Sequence, residues 1–217
     1  MNMHDGMTSS KKHTILSVGR TIYLLLAVAA VSITALSFNT DTYHRQRAYG
    51  APENDSVASK KAFLAAYEVL MHPRCMNCHP AGDAPLQGED SHVHMQGVKR
   101  GPDGKGLYAL KCSNCHQAEN TPGLHMPPGN PNWHLPPENM KMVFQGKSPR
   151  ELAAQLLDPE QNGGKTKEEL IEHVTHDPLV KAGWNPGEGR ELPPVSHEEF
   201  ARQFTRWIAT GAYLPDK

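Results

Sequence analysis

Two five-residue stretches of the same pattern, Cys-x-x-Cys-His, occur at Cys75–His79 and again at Cys112–His116, and together they use all four cysteines of this 217-residue chain. The pattern restricts what the thiols can do. A disulfide across two intervening residues would remove little chain entropy. A zinc ribbon would not require a histidine after both pairs, and a dithiol redox centre would need only one pair.

Covalent haem attachment explains every element of the pattern. Two thiols about one helical turn apart can each bond a vinyl group on the same porphyrin edge, and the adjacent imidazole can turn under the iron as its axial ligand. The cofactor-binding set read from the sequence is therefore Cys75, Cys78 and His79 for a first haem c and Cys112, Cys115 and His116 for a second, with His79 and His116 on the metals.

Composition agrees with a fold that borrows apolar bulk. Only 38% of residues are apolar and 6% aromatic, and 18 Gly with 18 Pro exceed the combined share of about 12% usual in globular proteins. A core this thin is of the kind that a bound cofactor or metal completes. Lys and Arg number 22 against 23 Asp and Glu, which excludes the basic field that nucleic-acid phosphates require.

Lys11, Lys12 and Arg20 precede an uncharged run from Thr21 to Phe38. A basic stretch followed by an apolar one is an export signal or an N-terminal membrane anchor, and both put the rest of the chain outside the cytoplasm. The expected organisation is signal or anchor over 1–38, a polar linker over 39–57 and one domain over 58–217, either soluble in the periplasm or tethered to the inner membrane.

Within that domain, Phe63, Tyr67, Leu70 and Met71 form one apolar helical stripe that ends before Pro73 and leads into Cys75. The Gly- and Pro-rich stretches Pro80–Gly106 and Thr121–Pro137 keep neither helical nor strand period and read as loops. No strand signal emerges. Ser148 with Glu151, Thr166 with Glu169 and Ser196 with Glu199 have capping-box spacing and predict three closing helices. The last of these has Phe200, Phe204, Trp207 and Ile208 as its stripe and Gly211 as its stop. The fold class expected is mainly α, a loop-rich domain whose short helices pack around two covalently bound haems.

Each iron also needs a sixth ligand or an open face, and the loops are rich in candidates. Met126 lies too near His116 along a proline-rich stretch to cross its own haem easily, which favours it for the first haem with His94 as rival. His173 then serves the second, with Met142 and His134 behind it. Lys99, Arg100 and Lys105 read as a solvated basic loop, and Trp133, Trp184 and Trp207 as core or haem-contact residues.

With these motifs in place, residues 70–213 resemble a family of small exported dihaem cytochromes c, many of whose members carry the label "isoquinoline 1-oxidoreductase subunit". The resemblance rests on PRCMNCHPAGDAPLQG, KCSNCHQ, GLHMPPGNPNWHLPP, LLDPEQNGG, DPLV with GWNPG, and the closing WIATGA. It implies two haems on the six motif residues. It also implies an exported dehydrogenase or molybdenum hydroxylase as electron donor and a further cytochrome or oxidase as acceptor. This chain has no molybdopterin or flavin motif of its own, so the expected role is single-electron transfer as a partner or subunit rather than substrate oxidation. The alternative is a haem enzyme of peroxidase type with one open iron. A metal-storage role for the histidines, such as His92-Val93-His94, is a weaker third.

Overall fold

A computed structural model describes residues 55–217. The predicted signal or anchor and nearly all of the predicted linker lie outside the described residues. Among the described residues no helix is long and apolar enough to cross a membrane. The chain is mainly α, with six helices and four two-residue strands among those residues.

Helix α1 spans Ser56–Leu70. It begins where the linker was expected to end, because the Asp55 carboxylate accepts from the amides of Val57 and Ala58 and caps its first turn. Its buried face is Ser59, Ala62, Phe63, Ala66, Val69 and Leu70, wider than the predicted stripe, while Tyr67 and Met71 stand at the margin. The alanines let helix α6, His197–Ala209, approach closely, and Phe63 meets Trp207 with ring centres 4.5 Å apart. Ser59 ties the same pair together. Its hydroxyl donates to the Trp207 carbonyl and accepts from the Tyr213 amide.

Two shorter helices complete this nucleus, α3 over Pro149–Leu157 and α4 over Lys167–His176, and a single turn, α5 over Pro178–Lys181, follows them. Both open with reciprocal capping boxes, as their sequences predict. At α6 only half of the box forms. Ser196 accepts from the Glu199 amide, but the Glu199 carboxylate turns to Arg202 and Gln203, one turn further along. A charged and an amide partner at i+3 and i+4 outcompete the single backbone N–H behind it.

The apolar nucleus draws on Ala62–Met76 and on residues from Met142 onward; between Met76 and Met142 no side chain joins it. That intervening stretch is held by backbone hydrogen bonds. Helix α2, Pro73–Met76, carries Cys75. Two hairpins follow, β1 (Leu86–Gln87) with β2 (His92–Val93), and β3 (Gly106–Leu107) with β4 (Leu110–Lys111). These were not expected, since two-residue strands are too short to show alternation. Gly104 is required where the loops cross, because its φ is +76° and a Cβ there would lie 1.8 Å from the Leu135 carbonyl oxygen.

Arg100 also departs from expectation. Its neighbours Lys99 and Lys105 are exposed, but Arg100 is only 1% exposed. Its amide donates to the Asp83 carbonyl, and its guanidinium donates to the carbonyls of Pro136 and Gly82, so it pins the inter-motif loop from inside.

Candidate functional site

The two motifs are presented by different short helices. His72 caps α2 by accepting the Arg74 amide on Nδ1, and this sets Cys75 on the helix with Cys78 and His79 just after it. The second motif starts a 3-10 turn, Cys112–Asn114, with no side-chain cap. Cys115 is exposed and Cys112 buried.

Burial pushes the Cys75 thiol up to about 12 and the Cys78 thiol up to about 11; Cys78 is raised further by the neighbouring Cys112.

The histidines of both motifs are fixed in the same way. His79 Nδ1 lies 2.7 Å from the Met142 carbonyl, and His116 Nδ1 lies 2.7 Å from the Pro128 carbonyl. A carbonyl only accepts, so Nδ1 must carry the proton in each ring, and a neutral ring then has its lone pair on Nε2. Both rings are held neutral. Burial pushes His79 down to about 4, with the charges of His173 and Arg100 adding to the effect against the Met142 hydrogen bond, and burial likewise lowers His116.

Each ring is also clamped flat. His79 stacks on Phe144 at 3.8 Å and 6°, and His116 stacks on Trp133 at 4.1 Å and 6°. A backbone carbonyl orienting the far nitrogen is the usual support for a histidine that binds metal through the other.

The remaining candidates divide between the motifs. His94 follows strand β2, and its amide donates to the Pro85 carbonyl. The hairpin folds it back so that its ring centre is 6.4 Å from that of His116, beside the second motif rather than the first. His173 lies on α4 with Nδ1 3.1 Å from an Asp177 carboxylate oxygen. His94 was expected as the rival ligand of the first motif, and spacing along the chain carries no information on which way a loop folds back. His173 also lines an open cleft of about 500 Å³ with Lys165, Glu169 and Asp177. Met126 stands 41% exposed in the loop after the second motif.

Among the described residues no three His, Cys, Asp or Glu side chains converge into a metal cage. Haem is the group these donors suit, since it brings its own equatorial nitrogens and needs from the protein two thiols and axial side chains. On either side of the second motif in sequence, Val93, Met95, Leu110, Leu124 and Met126 are all between 41% and 74% exposed. The stacked aromatics and the backbone carbonyls that orient the histidines could not be read from sequence. A Trp or Phe followed to the site by chain tracing alone has no distinguishing signal.

No protein-family model matches the chain, and neither a curated protein nor a solved structure matches it.

Proposed function

We propose that this chain is a dihaem c-type cytochrome that works outside the cytoplasm. It takes single electrons from an exported dehydrogenase or molybdenum hydroxylase and passes them to a further cytochrome or an oxidase. The dihaem cytochrome c family resembled by residues 70–213 is the proposed kinship. The observation that carries the reading is the duplicated setting of His79 and His116. Each has Nδ1 protonated against a backbone carbonyl, its ring stacked on one aromatic face and its Nε2 left as the metal donor.

On this reading Cys75, Cys78, Cys112 and Cys115 form thioethers and His79 and His116 bind the irons, while bound haem supplies a reversible one-electron couple. The protein's work is to hold and to tune. The Met142 and Pro128 carbonyls make each imidazole a stronger donor by accepting its other proton. Phe144 and Trp133 keep the rings from rotating and cover one face from water. Burial of the first motif among core side chains favours the less charged, reduced state there, and so favours electron flow toward it.

The test is a spectroelectrochemical titration of the full chain produced in a host that matures c-type cytochromes. Two resolved one-electron waves with distinct spectra, and no rapid binding of carbon monoxide by the reduced protein, are expected. A single wave with identical spectra would contradict the division between sites. Ready carbon monoxide binding with peroxide turnover would instead support the peroxidase alternative.

A further inference from the structure

The loop between the motifs carries a feature that neither motif explains. His94 is half-buried, and its Nδ1 is buried with no hydrogen-bond partner. An imidazole nitrogen buried without a partner has lost its water and gained nothing in return, so such an atom calls for a ligand. The ring lies at 62° to that of His116 with centres 6.4 Å apart.

That spacing has a chemical meaning. A first-row metal sits about 2.0 Å from an imidazole nitrogen, and the nitrogen is about 1.2 Å from its ring centre, so two rings on opposite sides of one metal have centres roughly 6.4 Å apart. Packing pairs reach the same spacing, as Phe63 and Tyr67 do at 6.4 Å, so the distance acquires its meaning from the unpartnered nitrogen on His94.

We infer that His94 is the second axial ligand at the Cys112–His116 site, opposite His116. The inference rests on the dihaem reading above and extends it. The loop leaving the first motif thus closes the second, and Pro80–Gly106 is a strap between the two sites.

The backbone supports such a strap. The Leu86 amide donates to Asn77 in the first motif, the His94 amide to Pro85, the Arg100 amide to Asp83, and the Cys112 amide of the second motif to Lys105. The backbone thus ties the start of the loop to the first motif and its end to the second, while the His94 ring faces His116. Neither Met126, 41% exposed, nor His173, whose Nδ1 faces Asp177, has a ring or sulfur contact with His116 like that of His94. With histidine on both faces the second site would be closed to exogenous ligands. It would also have a lower potential than a His/Met site, because a thioether ligand raises the potential relative to a second imidazole.

The experiment compares the full-length wild type with His94→Ala, His94→Met and His173→Ala, all matured with haem. Haem content is read by pyridine haemochrome, axial ligation by electron paramagnetic resonance and near-infrared magnetic circular dichroism, and potentials by titration.

In the wild type a bis-histidine signature should account for at least one of the two haems. In His94→Ala one haem, half of the total, should become high-spin and bind carbon monoxide while both stay covalently attached. In His94→Met the same haem should stay six-coordinate with a higher potential. His173→Ala should leave that haem unchanged.

Two attached haems with unaltered ligation and potentials in His94→Ala would overturn the ligand assignment alone. So would the absence of any bis-histidine signature in the wild type, which guards against a variant that fails to fold. A wild type without haem would overturn the proposed function as well.

Discussion

The two Cys-x-x-Cys-His motifs share five residues of pattern and the same treatment of the histidine, yet they sit in unlike surroundings. The first is mortised into the helical nucleus: Cys75 and Met76 pack on it, Phe144 at 5% exposure belongs to it, and His72 caps the helix that presents it. The second stands in a segment that gives no side chain to that nucleus. Its 3-10 turn is uncapped, and exposed apolar side chains lie on either side of it in sequence. A motif thus specifies the bond to a cofactor, while the surrounding chain decides what that bond supports. At the first site a cofactor would share a core with the protein. At the second, the cofactor would itself be most of the core.

This contrast predicts unequal consequences for equal changes. Replacing Cys112 and Cys115 by Ser should leave the α1–α6 nucleus folded with one haem and loosen only residues 80–137. Replacing Cys75 and Cys78 should lower the thermal stability of the whole domain. Hydrogen exchange resolved along the chain distinguishes the two, and equal global loss in both variants would break the comparison.

Next in size are the two stacked aromatics. Phe144→Ala should destabilise the domain by about 3–5 kcal/mol, because it opens a cavity in a packed nucleus. Trp133→Ala should remove a stacking contact worth about 0.5–1.5 kcal/mol and act mainly on the spectrum of the second haem. Denaturant titrations of the two variants measure the difference.

A smaller effect is expected at Gly129, whose neighbour Pro128 orients His116. A Cβ there would meet the Glu119 carbonyl at 2.1 Å. Gly129→Ala should therefore displace the Pro128 carbonyl and alter one haem spectrum at a cost of about 1–3 kcal/mol, with the first haem unchanged.

The smallest is a pH effect confined to the first motif. His72 must keep Nδ1 unprotonated to cap α2, and burial, aided by the Arg74 charge, holds its pKa below the usual value. The unfolded chain therefore takes up the proton first. The contribution to stability is complete above about pH 6.5 and is lost as pH falls below it. Asn at this position would cap without titrating, so the melting temperature of His72→Asn should fall less between pH 7 and pH 5 than that of the wild type.

How much of this could be read from sequence differs with the range of the interaction. The helix starts at Ser148 and Thr166 depend on neighbours within four positions, and they were legible. The capping boxes formed in full except at Ser196, which caps its helix while Arg202 and Gln203 claim the Glu199 carboxylate. The His79 to Met142 hydrogen bond spans 63 residues and the burial of Arg100 depends on carbonyls from two separate loops, so local pattern could show neither. His94 was visible as a candidate, but its side of the molecule was decided by a hairpin of two-residue strands that leaves no periodic trace.

The central claim is that both motifs carry haem through thioether bonds. The most direct measurement is peptide mass spectrometry, after denaturation and proteolysis, of protein matured in a c-type-competent host. The account predicts that the peptides holding Cys75–His79 and Cys112–His116 each weigh one haem more than their amino acids. Either peptide at its bare amino-acid mass, with free or disulfide-bonded sulfurs, would contradict it.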